Sequence, residues 1–203
     1  MISDQHDFLT YMLEDYPNLL DEWVNNQEKE VEEIAKSAAE GDIDVYLSIY
    51  SSEIKRIEHC SYEEELFNQA MLIMVFSYYE SSLLKLAKEN NIDLPRPSKI
   101  AEKYGITLDD ENLKISRFLF ETISPLRNQL CHNNSGTLFE KSSQEEIEKI
   151  KKLAQKGYIS IVGGRIIVES RDFIKQILDG EYKVLIKLAD ICGYKTKFLG
   201  SKK

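Results

Sequence analysis

Glu65-Leu66-Phe67-Asn68-Gln69-Ala70-Met71-Leu72-Ile73-Met74-Val75-Phe76 is the stretch on which the fold turns. Its apolar residues keep neither the 3.6-residue stripe of a surface helix nor the strict alternation of a half-exposed strand. Between Leu66 and Phe76 the pattern is apolar almost all round, which predicts a helix at the centre of a bundle. Ser61 followed by Glu64 has the spacing of a capping box, so this helix is predicted to run from about Tyr62 to Glu89. Ser77 and Glu80 cut the apolar run short of the roughly 18 residues needed to cross a bilayer. A core helix in a protein without a membrane span is the expectation.

Upstream, Phe8, Leu9, Met12 and Leu13 mark a first helix within Asp4 to Asp15. After Pro17, Leu19, Leu20, Trp23, Val24, Gln27, Val31, Ile34, Ala35 and Ala38 trace a second stripe that Gly41 ends. Asp42 then caps a third helix, with Val45, Tyr46, Ile49, Tyr50, Ile54 and Ile57 expected inward. Downstream, Pro95 and Pro97 break the chain before a short helix at Ser98 to Tyr104. Asp109 or Asp110 opens another, carrying Leu113, Ile115, Phe118, Leu119, Thr122 and Ile123, which Pro125 kinks or restarts.

Ser143 with Glu146 forms a second capping box for a helix to Lys156. Gly163-Gly164 between Tyr158–Val162 and Arg165–Val168 is a two-residue hairpin signal, the only convincing β structure. Ser170 or Asp172 caps a last helix through Ile174, Ile177, Leu178, Tyr182, Leu185, Ile186 and Ala189. The predicted class is mainly α: an up-and-down helical bundle with extra N-terminal helices and a small C-terminal β-hairpin plus helix. The expected organisation is residues 1–60 as N-terminal helices packing on the bundle, 61–140 as the core bundle, and 141–203 as the helix, hairpin, helix and basic tail.

The 203 residues carry a net charge of −9 with 42% apolar and 30% charged side chains, enough for a proper core. The charge is unevenly spread. Residues 1–66 hold 18 acids against 4 bases, a balance of −14, whereas 174–203 hold 7 bases against 3 acids. Overall acidity argues against non-specific binding of a polyanion but leaves room for a local cationic pocket. The acidic half offers a surface to a basic partner or simply a solvated face. Met1-Ile2-Ser3-Asp4-Gln5 has no signal-peptide character, so a cytoplasmic location is the default. Cys60, Cys131 and Cys192 are odd in number and far apart, which favours reduced thiols over a disulfide framework or a zinc clip.

Chemistry is concentrated in Leu126-Arg127-Asn128-Gln129-Leu130-Cys131-His132, before the stop Asn133-Asn134-Ser135-Gly136. A permanent cation, an amide and a titratable imidazole can hold a phosphate and move a proton without a metal. At about 100° per residue, Arg127 and His132 lie about 140° apart on a regular helix. They converge only if Pro125 places Arg127 in an irregular first turn, or if two copies face each other across a two-fold axis. Asn128 and His132, at i and i+4, share a face. The reaction these groups suit is attack of an RNA 2′-hydroxyl on its neighbouring phosphate. His132 would move the proton, Arg127 would hold the phosphate oxygens, and Asn128 would orient the imidazole or grip the phosphate.

This segment resembles the Arg-x4-6-His signature of HEPN domains (higher eukaryotes and prokaryotes nucleotide-binding), with the polar residue that commonly follows the arginine present as Asn128. The match is clearest from about Ser61 to Gly136, and the Tyr79-Glu80-x-x-Leu83 helix is in keeping. The resemblance implies a four- or five-helix bundle, a homodimer, and often metal-independent endoribonuclease activity, with RNA as substrate. It also implies a setting in a toxin–antitoxin pair or phage-defence system, with an antitoxin or other defence protein as partner. No cofactor or metal is expected. A HEPN-like module that has lost activity and only binds partners is the alternative, and nucleotide binding at the same pocket a weaker third.

Other groups read more simply. His6 and His59 read as surface histidines, and Glu63-Glu64-Glu65 as acids favoured at a helix start. Tyr78-Tyr79 reads as core or interface. The lysines after Gly193 read as a solvated tail.

Overall fold

The computed structural model describes residues 2–132 and 143–194. The chain is mainly helical, as its periodicity predicts, with one two-stranded antiparallel hairpin near the C-terminus. In order come α1 (Ile2–Ala39), α2 (Ile43–Glu89), α3 (Pro97–Lys103), α4 (Asp110–Phe118), a π-helical turn (Leu119–Ile123) and α5 (Ser124–His132). After them follow α6 (Gln144–Gln155), β1 (Ile159–Val162), β2 (Arg165–Val168) and α7 (Arg171–Ile191). The stop at Asn133–Gly136 and the basic tail after Tyr194 lie outside the described residues. So do the side chains of Leu20, Ile54, Ile57, His59, Cys60, Glu63 and Glu64.

The chain divides into two compact units. One contains residues 1–10 with 68–203, and the other is 11–67. In the first, the predicted all-round apolar stretch becomes the inner part of α2. Met71, Leu72, Val75, Phe76 and Tyr79 are fully buried there. Each such side chain contributes roughly 1.5–3 kcal/mol by leaving water. Ile100, Leu119, Ile123, Leu126 and Ile150 complete the core from α3, the π turn, α5 and α6. By length and composition Glu65–Glu89 could cross a membrane (mean hydropathy 1.2), which uninterrupted apolar runs did not suggest. Its most apolar part is 56% buried within the protein, as a core helix is.

Local signals account for most ends. Asp109 caps α4 by accepting from the Asn112 amide at 2.9 Å. Ser143 and Glu146 form the expected capping box, and Ser170, rather than Asp172, caps α7 by accepting from the Phe173 amide at 3.1 Å. Gly163 and Gly164 have φ of 56° and 83°, the left-handed pair a tight hairpin turn requires. Ile159 faces Val168, and Ile161 faces Ile166.

The hairpin's outer edge is not left bare. The buried side chains of Asn68 and Gln69 on α2 donate to the Val168 carbonyl at 3.2 Å and the Ile166 carbonyl at 3.1 Å. Those carbonyls would otherwise be edge acceptors without partners.

Two predicted boundaries are absent. No break occurs at Pro17, where α1 runs on despite one lost hydrogen bond, nor at Ser61, where α2 continues. A proline inside a helix costs about 3 kcal/mol. Just before Pro17, Leu13 is buried and Tyr16 stacks on Phe67 (5.1 Å between ring centres), which holds this turn in place. The Asn18 side chain also donates to the Glu14 carbonyl at 2.9 Å, serving the disturbed turn. At Ser61 the capping signal does not start a new helix, and α2 runs through it unbroken.

Pro125 neither kinks nor restarts α5 at its own position. The adjustment lies just before it, in Leu119–Ile123, where the Ser124 amide donates back five residues to the Leu119 carbonyl. Proline cannot donate to the carbonyl four residues back and crowds it, and a wider preceding turn relieves that clash.

In residues 11–67, α1 and α2 form a helical hairpin closed at Glu40-Gly41. Gly41 adopts φ 93°, and Asp42 caps α2 by accepting from the Asp44 and Val45 amides. Leu13, Ala35 and Ala39 are buried there. The predicted inward stripe is only partly inward, since Leu19, Trp23, Ile34 and Val45 are exposed.

Candidate functional site

Arg127 lies one turn into α5 and reaches across to α2. Its guanidinium makes an ion pair and hydrogen bond with Glu80 Oε2, and its Cζ sits 5.3 Å from the centre of the Phe76 ring. The side chain is only 19% exposed, while Glu80 is 41% exposed, so the pair spans the boundary between core and solvent. Its Nε is buried and has no hydrogen-bond partner among the described residues. Below the guanidinium, Phe76 and Tyr79 pack at 6.1 Å between ring centres, and Tyr79 meets Phe120 of the π turn at 6.0 Å. An arginine over an aromatic face gains about 0.5–2 kcal/mol, more as water is excluded.

The expected irregular first turn does not include Arg127. The irregularity ends at Ile123, and Ser124–His132 is a regular α-helix. The positions of Arg127 and His132 are therefore about 140° apart around α5, so a single helix does not bring them to one face. The side chain of His132 lies outside the described residues. Asn128 is exposed, on the same helical face as position 132. Cys131 is exposed and Cys192 half-buried, both as free thiols.

A second carboxyl group stands behind the first. Glu181 on α7 is fully buried, and neither of its oxygens has a hydrogen-bond partner among the described residues. Burial, and then the negative charge of Glu80, push its pKa well above the usual carboxylate value of 4.5, favouring the neutral form. The hydroxyls of Tyr78 and Tyr79 are pushed upward in turn, chiefly by burial and secondly by Glu181. Glu80 thus links the two: it is ion-paired with Arg127 on one side and interacts electrostatically with the buried Glu181 on the other.

Spacing singled out Arg127, whereas its ion-pair partner Glu80 and the buried Glu181 were not recognised. Each carried a signal. Glu80 is the only acid between Glu65 and Glu89, in the most apolar part of α2. Glu181 falls at the inward period of Ile174, Ile177, Leu178, Val184 and Leu185, where Tyr182 was expected.

His6 also departs from expectation. Its side chain is 15% exposed, stacks on Tyr182 at 4.0 Å between ring centres, and lies 3.7 Å from Asp179 Oδ1. It is therefore a packed residue, not a surface histidine; Leu9, one turn on, buries the same end of α1.

Two surface cavities lie away from the cluster. One, of about 430 Å³, is lined by Lys114, Phe118, Lys156, Tyr158 and Phe173, and the other by Asn112, Tyr182 and Lys187. No group of three metal-ligating side chains occurs among the described residues. Comparison with models of protein families, with curated proteins and with solved structures gave no match.

Proposed function

We propose that this protein is a metal-independent endoribonuclease of HEPN type, working as a homodimer in a toxin–antitoxin or phage-defence setting. The observation that carries the reading is the anchored guanidinium of Arg127. Glu80 and Phe76 hold it at the solvent boundary of the helix that also bears Asn128 and position 132. A cation fixed before substrate arrives stabilises developing phosphate charge at little reorganisation cost. In the proposed reaction the RNA 2′-oxygen forms a bond to the adjacent phosphorus as its proton passes to a neutral His132. The bond to the 5′-oxygen breaks, and a protonated imidazole gives that oxygen its proton. The products are a 2′,3′-cyclic phosphate and a 5′-hydroxyl. The angular separation of Arg127 and His132 on α5 makes a two-fold pairing of two chains the arrangement that supplies both groups to one phosphate.

A second reading is favoured by a specific feature. Glu80 already occupies Arg127, which is four-fifths buried, so the pair can serve as a brace in a non-catalytic interaction module. Cleavage of RNA by purified wild type, His132→Ala and Arg127→Ala in the presence of a chelator separates the two. The catalytic reading expects cyclic-phosphate ends from wild type and at least a hundredfold loss (about 2.7 kcal/mol of barrier) in His132→Ala at unchanged melting temperature. Wild-type protein that leaves RNA intact, or His132→Ala that cleaves at the wild-type rate, leaves the brace reading standing.

A further inference from the structure

Residues 11–67 form a helical hairpin whose side chains are poorly matched to standing in water alone. Two helices bury little apolar surface between them, and bundles gain their stability by adding a third or fourth. Here the buried apolar residues at the closed end are two alanines, Ala35 and Ala39. Larger apolar residues point outward instead: Leu19, Trp23 and Ile34 on α1 are each about half exposed, and Ile43 on α2 is 70% exposed. At about 100° per residue, Tyr16, Leu19, Trp23 and Ile34 fall within about 60° of one another on α1, a strip that Gln27 and Glu30 interrupt between Trp23 and Ile34. Asp15, Glu22 and Glu33 run along one flank of that strip by the same count. Across 11–67 there are 16 acids against 4 bases, a balance of −12.

We propose that this strip docks an amphipathic helix of another protein that carries Lys or Arg beside its apolar face. The charge selects among occupants. A second copy would bring another −12 against the first, and nucleic acid or an anionic membrane would be repelled. A basic helix lays its apolar side on Leu19, Trp23 and Ile34 and its cations on Asp15, Glu22 and Glu33, which is the helix-in-groove mode with charged flanks. The proposal is independent of Arg127 and of RNA cleavage.

Trp23 is the only tryptophan in the chain, so its emission reads the strip directly. The probes are three synthetic helices: amphipathic Leu/Lys, amphipathic Leu/Glu, and an all-polar Lys/Gln helix. The Leu/Lys helix is expected to shift Trp23 emission to the blue with saturation, and the other two are not. The joint variant Leu19→Gln, Ile34→Gln should weaken that binding at least tenfold, as should Glu22→Lys with Glu33→Lys, with circular dichroism showing both folded. Equal binding of the Leu/Glu or Lys/Gln helix overturns the proposal. So does wild-type affinity in either folded double variant, or wild-type Trp23 emission that shifts to the red on dilution, which would mark a second copy as the occupant.

Discussion

A carboxyl group sealed in a helical core resists ionisation, and Glu181 makes that resistance measurable. Its folded-state pKa lies above its unfolded value, for burial first and Glu80 second. Its contribution to stability is therefore complete below about pH 4.5 and is lost as pH rises toward the folded value. Glu80, Tyr78 and Tyr79 interact with it electrostatically, and Glu80 is itself ion-paired with Arg127. Glu181→Gln keeps the shape and removes the titration. Its melting temperature is expected to exceed that of wild type at pH 8 and to approach it at pH 4. Parallel curves across that range would show that Glu181 ionises freely. At this scale the sequence exposed groups with a strong intrinsic signature, Arg127 among them. It hid Glu181, because composition alone does not say which acid a helix turns inward.

The helical hairpin and the β-hairpin show how far local signals reach. Caps at Asp109, Ser143 and Ser170, and glycines at 163–164, were legible because each satisfies backbone groups within a few residues. Pro17 and Ser61 misled for the same reason: they describe a local preference worth a few kcal/mol at most, and the helices run on through both. The contacts of Asn68 and Gln69 with β2 were invisible, since they join positions 100 and 97 residues apart. Gln69→Ala leaves the buried Ile166 carbonyl without its donor. The expected cost is about 1–3 kcal/mol, read as a lower urea midpoint at unchanged slope. No change in midpoint would mean that water reaches that edge.

For the molecule as a whole, charge is the least balanced quantity. With −12 between residues 11 and 67, mutual repulsion opposes the compact state. Salt between about 0.01 and 0.1 M shortens the screening length from about 30 to about 10 Å, so the melting temperature should rise over that interval. A fall would place the greater weight on ion pairs such as Lys149 with Glu145 and Glu121, which salt weakens. The bundle class was legible because it follows from periodicity, and the cluster around Arg127 only in part, because it draws on three separated segments. The wide turn at Leu119–Ile123 adds a consequence of its own: it works as a phase shifter. Whatever follows it is indexed around the axis by the number of residues in that turn. Inserting one alanine between Ile123 and Ser124 should advance that count by one and rotate α5 by about 100°. The guanidinium would then swing off its carboxylate with every α5 residue still in place, and under the proposed catalytic reading RNA cleavage is lost without loss of helical content.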